Sequence, residues 1–189
     1  IRDVLLSLVG SEMCIRDRSY TLQIFYEGKS ISANASMVPG RFFSPLKYDK
    51  NDDDELYHID YVASNFDPEY NAKWEVLIDW TGVQGYENAD PDTCHARVLF
   101  YTLPTLDVSQ IFAPEVEKIS FPAGSLITQK RYSLTSEHAA YVRSLLLEST
   151  WQGSMFPTAN SNAGTNLSEG GLGYFGMCFV TELSFIVTP

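Results

Sequence analysis

Alternation of apolar and polar positions is the dominant signal along this chain. Tyr20, Leu22, Ile24 and Tyr26 share one face of Tyr20–Tyr26, and Ile31, Ala33, Ala35 and Met37 share one face of Ser30–Met37. Glu27-Gly28-Lys29 between them is a turn, so 19–37 reads as a β-hairpin. A lone hairpin is marginal in water and must pack on something. Val38-Pro39-Gly40 and Ser44-Pro45 then punctuate the chain, and 38–46 reads as a linker. Strands are expected over Leu56–Ala63, Lys73–Thr81, Ala96–Leu103, Val116–Phe121 and Leu126–Leu134. The clearest is Lys73–Thr81, where Trp74, Val76, Ile78 and Trp80 fall on one face. Asn65–Asn71, with Asp67-Pro68, reads as a turn, and Gly82–Thr93 as a polar loop.

One segment changes period. In Thr135–Thr150 the apolar residues Ala139, Val142, Leu145 and Leu146 recur at helical spacing. Thr135 or Ser136 can cap it, and Glu137 puts a carboxylate in the first turn. A single helix over 136–149 follows. Trp151–Gly171 is a long Ser/Asn/Gly loop, of a length that is often functional or pinned by its own packing. Tyr174–Thr188 carries apolar residues on both faces and reads as a long, central strand. The sum is mainly antiparallel β with one helix. A β-sandwich over 47–189 is the economical way to bury such strands.

Composition narrows the function classes. The formal net charge is −11 and the pI about 4.6. Phosphate contacts need a positive surface, so no nucleic-acid partner is expected, nor docking on anionic lipid through a basic patch. No apolar run approaches the roughly 20 residues that span a bilayer. Three cysteines are too few for a disulfide framework and lack zinc spacing.

The first eighteen residues stand apart. The chain opens Ile1-Arg2-Asp3, which reads as a fragment, a processed product or a mistranslated end. Asp3–Arg18, DVLLSLVGSEMCIRDR, resembles translated sequencing-adapter read-through, a resemblance carried by SEMCIRDR at Ser11–Arg18. A signal peptide fits poorly: Arg2 and Asp3 share the n-region, Ser7 interrupts the apolar core, and no small-residue cleavage site follows. Residues 1–18 are therefore set aside as non-native, although a helix could be drawn through Val4–Leu8. Their three arginines balance their three acids, so the whole negative charge belongs to 19–189.

A family resemblance enters at the C-terminal side. Ile119–Gly124 (ISFPAG), Arg131–Leu134 (RYSL), Leu145–Trp151 (LLLESTW), Gly153, Phe156, Asn162 and Thr165–Phe175 (TNLSEGGLGYF) occur in this order. This order resembles domain-of-unknown-function family 4249, Bacteroidota cell-envelope proteins that tend to end in T-N-[IL]-x-x-G-x-x-G-Y-F and one strand. Tyr20-Thr21-Leu22, Gly28-Lys29 and Ala33–Met37 resemble the closing hairpin of that family's upstream Ig-like domain. The resemblance implies an Ig-like or related sandwich, export as a lipoprotein and association with TonB-dependent outer-membrane transporters. It implies no catalytic residues. The family's signal peptide, lipobox Cys and most of its first domain have no counterpart here, as a missing N-terminus would explain. Membrane attachment would then run only through that lipid anchor.

Candidate chemistry remains beside bland alternatives. Gly171–Gly176 is formally G-x-G-x-x-G, but a strand follows where a dinucleotide site needs a helix, so no cofactor is expected. Asp49, Asn51, Asp53 and Asp60 take the first, third, fifth and twelfth places of a calcium-type loop. Asp54 replaces the sixth-place glycine, and a solvated charged loop is the alternative. Cys94 and Cys178 are a disulfide or two separate thiols. Cys94-His95 is no catalytic pair, because adjacent strand residues point to opposite faces. His58 and His138 have no partner motif, and surface or capping roles are expected. Asn34-Ala35-Ser36 and Asn166-Leu167-Ser168 match the N-glycosylation pattern, which matters only in a eukaryotic secretory pathway. A ligand-binding reading takes Trp151 at the helix exit with Asn162, Asn166 and Tyr174. A hydrolase would need two carboxyls facing across a cleft, and 24 acids do not select a pair.

Overall fold

The computed structural model describes residues 5–10, 19–59, 64–66, 70–104, 119–148, 164–168 and 171–189. Strands β2 (Ser19–Tyr26) and β3 (Lys29–Ser36) form the expected hairpin, with Tyr26 opposite Lys29. Glu27 and Gly28 make its two-residue loop with φ of 48° and 75°. Positive φ at both positions gives the turn whose twist matches its strands, and glycine adopts it without steric cost. Strand β1 (Leu5–Gly10) pairs antiparallel with β2, Leu5 opposite Phe25. The helix drawn through Val4–Leu8 is not formed over Leu5–Leu8, where the backbone is extended. An open strand edge offers unpaired N–H and C=O groups, and pairing there satisfies them.

The remaining strands build two sheets. The larger has the order β11-β10-β7-β8-β6, from β6 (Ser64–Phe66), β7 (Ala72–Asp79), β8 (His95–Leu103), β10 (Leu126–Ser133) and β11 (Phe179–Ile186). The smaller is β4-β5-β9, from β4 (Tyr48–Lys50), β5 (Tyr57–Ile59) and β9 (Ser120–Phe121). They share one core: Tyr57 and Phe121 from the small sheet meet Val76, Ile78 and Ile127 from the large one, with Val187 beside them. Trp80, Val98, Phe100 and Phe185 pack around this cluster. Two sheets stacked over a common apolar layer form the sandwich that alternation predicts. Helix α1 (Ser136–Glu148) adds a second cluster, where Ala139 and Leu146 pack with Leu103 and Leu134. Thr135 caps it, its Oγ1 accepting from His138 N at 3.2 Å.

Three expectations are corrected. Residues 174–178 are not strand, and β11 lies at the edge of its sheet, not its centre. Its second apolar face is uncovered, with Val180 44% and Ile186 60% exposed. Apolar residues on both faces thus do not guarantee cover on both. Ser64–Phe66 overlaps the expected turn, yet it pairs parallel with Tyr101–Leu103. The 38–46 segment is irregular but docked on the large sheet. Phe43 meets Trp74 edge-on at 5.0 Å, and Leu46 N donates to Gln129 Oε1 at 3.2 Å. Gly40 lies against Phe179, where a Cβ would overlap the ring.

Candidate functional site

The Gly-rich block that carries the family resemblance folds back onto the hairpin. Leu167 forms an isolated bridge with Ala33. Ser168 N donates to Ser32 O at 2.7 Å, and Ser32 N donates to Ser168 Oγ at 2.9 Å. Asn166 uses both ends of its carboxamide. Its Nδ2 donates to Asn34 O at 3.0 Å and to Phe175 O at 2.7 Å, while its Oδ1 accepts from Phe175 N at 2.9 Å. Thr165 Oγ1 donates to Gly173 O at 2.6 Å. Gly173 has φ 108°, and Gly171 sits where a Cβ would lie 2.6 Å from Leu167 Cβ. The glycines are there for left-handed backbone and close approach, as expected for a tight turn.

Between this block, β3 and α1 runs a groove of about 600 Å³. Tyr174 stacks on Tyr141 at 4.8 Å and on His138 at 5.1 Å, centroid to centroid. Helical spacing puts His138 and Tyr141 on one face, so a single ring can cover both. Glu137, Ser144, Asn34 and Met177 also line the groove. Burial pushes the Tyr174 phenol above its ordinary value, against the hydrogen bond from Thr135. Of the four residues read as ligand-binding, the structure thus brings Tyr174 and Asn166 together, with the Asn166 amide engaged by backbone. Trp151 and Asn162 lie outside the described residues.

Sequence reasoning missed one pair. Gly176 passes so close to α1 that a Cβ there would overlap the His138 ring. This close approach helps bring Cys178 Sγ to 3.8 Å from His138 Nδ1. His138 is therefore half-buried and partnered, not a surface or capping residue. Burial raises the Cys178 thiol and lowers the His138 imidazole, with Lys73 nearby opposing the first and adding to the second. Both shifts favour neutral forms, the reverse of a thiolate–imidazolium nucleophile. The signal available in the sequence was Gly176 at the point where the chain turns into its last strand. Among the described residues the other cysteine, Cys94, is buried, and neither it nor Cys178 is in a disulfide.

The acidic loop closes the β4–β5 hairpin. Asp54 Oδ1 accepts from Leu56 N at 2.8 Å and from Asn51 Nδ2 at 2.9 Å. Asn51 Oδ1 faces His58 Nδ1 at 2.7 Å, and Lys50 pairs with Glu55 at 2.6 Å. Asp49 stands on β4 opposite His58, and Asp53 is exposed at the tip. Asp60 lies outside the described residues. Among those described, no group of three or more His, Cys, Asp or Glu stands together to hold a metal.

A buried carboxylate lies on the large sheet. Glu75 accepts from Tyr132 Oη at 2.6 Å and pairs with Arg97 at 2.5 Å. Those partners hold Glu75 below its ordinary value, Tyr132 contributing most, whereas a general acid must be raised. Tyr132, bonded to that carboxylate, is pushed up to about 12. No family model, curated protein or solved structure matches the chain.

Proposed function

We propose that the chain is a non-catalytic Ig-like sandwich domain of an exported Bacteroidota protein. In this reading it is an accessory or scaffolding lipoprotein beside a TonB-dependent outer-membrane transporter. The resemblance to domain-of-unknown-function family 4249 supplies the context. The observation that carries the reading is how the motif spends its polar groups. Thr165, Asn166 and Ser168 bond to backbone of the hairpin and of their own block, which makes the motif a clasp. A rigid joint between two β units suits a protein that holds others in place. Affinity purification of the tagged full-length protein from its native membrane tests it. A transporter should co-purify in stoichiometric amount, and its absence overturns the reading.

A second reading, a glycan- or small-ligand-binding module, is favoured by Tyr174 beside the open groove. Aromatic rings next to polar side chains suit sugar faces and their hydroxyls. Titrating envelope-derived oligosaccharides by calorimetry should then give a heat that Tyr174→Ala abolishes. No heat from any of them would sink the idea.

A further inference from the structure

A second cleft, of about 520 Å³, adjoins the groove and shares Ser36, Thr135 and Glu137 with it. Neither reading above uses it. Tyr70 and Asn71, which lead into β7, form part of its wall. The Arg41 guanidinium lies over the Tyr70 ring, 3.0 Å from its centroid. Arg131 is 5% exposed and donates to Tyr70 O at 3.2 Å and to Ser133 Oγ at 2.7 Å. Asn71 O accepts from Leu134 N at 3.0 Å, which ties the wall to the entry of α1. The Asn71 side chain is a different matter. The residue is 5% exposed, yet among the described residues its Oδ1 is buried with no hydrogen-bond partner. An unmet buried acceptor carries a desolvation cost that a ligand donor removes. The χ2 torsion of asparagine is broad, so the carboxamide turns its oxygen toward such a donor at small cost.

Opposite charges line this cleft. Arg41 supplies a guanidinium and Glu137 a carboxylate, and among the described residues neither is in an ion pair. Glu137 stands in the first turn of α1, where the Ser136 and Glu137 N–H groups have no intrahelical acceptor. Arg41 and these amides suit a carboxylate. Glu137 and Asn71 Oδ1 suit an ammonium, which donates three hydrogen bonds and accepts none. A simple anion fits less well, because the Glu137 carboxylate and a chain charge of −11 both repel it. A zwitterion has no net charge and meets both signs. Val38, Pro39 and Leu134 add apolar wall.

We propose that this cleft binds a free α-amino acid with an aliphatic side chain. Arg41 and the start of α1 hold its carboxylate, and Glu137 and Asn71 hold its ammonium. Its side chain lies against Val38, Pro39 and Leu134. Arg131 is a positioning residue, which fixes the Tyr70 backbone while Arg41 covers the Tyr70 ring.

The test is calorimetric titration of the full chain with L-leucine, N-acetyl-L-leucine and L-leucinamide. L-Leucine should bind at one equivalent. The acetyl group removes the ammonium and the amide removes the carboxylate, so each derivative should bind at least about tenfold more weakly, as losing a charged hydrogen-bond partner does. Arg41→Gln should weaken L-leucine until it binds no better than L-leucinamide. Glu137→Gln should weaken it until it binds no better than N-acetyl-L-leucine. Both side chains are exposed, so neither change should disturb the fold, which far-ultraviolet circular dichroism checks. Asn71→Ala should weaken L-leucine as well, and if that variant loses its fold the two exposed variants decide. No heat with millimolar L-leucine overturns the proposal. Equal binding of N-acetyl-L-leucine would reveal a plain anion site and equal binding of L-leucinamide a plain cation site, and either overturns it. So do folded Arg41→Gln and Glu137→Gln variants that bind L-leucine like the parent.

Discussion

Tyr132 and Glu75 show how much one part-buried hydrogen bond governs. The phenol donates to a carboxylate that also pairs with Arg97. Hydrogen bonds to charged groups contribute about 1.5–3 kcal/mol, so Tyr132→Phe should destabilise by about 2 kcal/mol in denaturant titration. The pH dependence has two limbs. Glu75 is lowered on folding, so its contribution is present above the ordinary carboxylate value and is lost as pH falls through the folded one. Tyr132 is raised from 10.0 to about 12, so its contribution is present below pH 10 and is lost as pH rises toward 12. Ultraviolet titration of tyrosinate should show a late-ionising phenol that Tyr132→Phe removes. Gly176 is the other decisive residue. Gly176→Ala drives a methyl into the His138 ring and should cost about 1–3 kcal/mol, as overpacking does. It should also increase Cys178 alkylation by displacing the imidazole and opening the thiol to reagent. Unchanged stability would mean that His138 moves aside freely.

Hairpin and helix answered to local rules, and both were legible in the sequence. Alternation plus Glu27-Gly28 placed β2 and β3 within a residue of their observed bounds. The helix period and its Thr135 cap placed α1. What local pattern does not encode is which neighbour a strand meets. The edge position of β11, the parallel pairing of Ser64–Phe66 and the docking of Phe43 on Trp74 are decided by long-range packing. The Cys178–His138 contact was illegible for the same reason, since 40 residues separate the partners. Local rules also yield a prediction. Glu27 adopts φ 48°, a left-handed conformation costly for a residue with a Cβ, which asparagine tolerates better. Glu27→Asn should therefore stabilise the hairpin by up to about 1 kcal/mol, read as slower amide exchange in Ser30–Ser36. Faster exchange would mean that the interactions of the Glu27 side chain outweigh its backbone strain.

At the scale of the molecule, the question is what makes the hairpin sheet and the sandwich behave as one body. Their cores are separate: the sandwich cluster draws on Tyr57, Val76, Phe121 and Ile127, none of them from β2 or β3. Among the described residues, Asn166, Leu167 and Ser168 bond directly to the hairpin. Asn166 is the centre of this contact, because one side chain ties Asn34 of the hairpin to Phe175, four residues before β11. A carboxamide making three hydrogen bonds to backbone pins this joint. Removing it should uncouple the units more than it weakens either. Asn166→Ala should lose about 1–3 kcal/mol at the joint, from one net hydrogen bond to three. The sandwich core, whose bonds it does not touch, should keep its own stability. Hydrogen exchange separates the two effects, because locally opening units exchange with their own free energies. Amides of Ser30–Ala35 should lose protection several-fold in Asn166→Ala while those of Trp74–Ile78 stay within error of the parent. A uniform loss across both segments would show a single cooperative unit, and the clasp would then be one hydrogen-bonded turn among many.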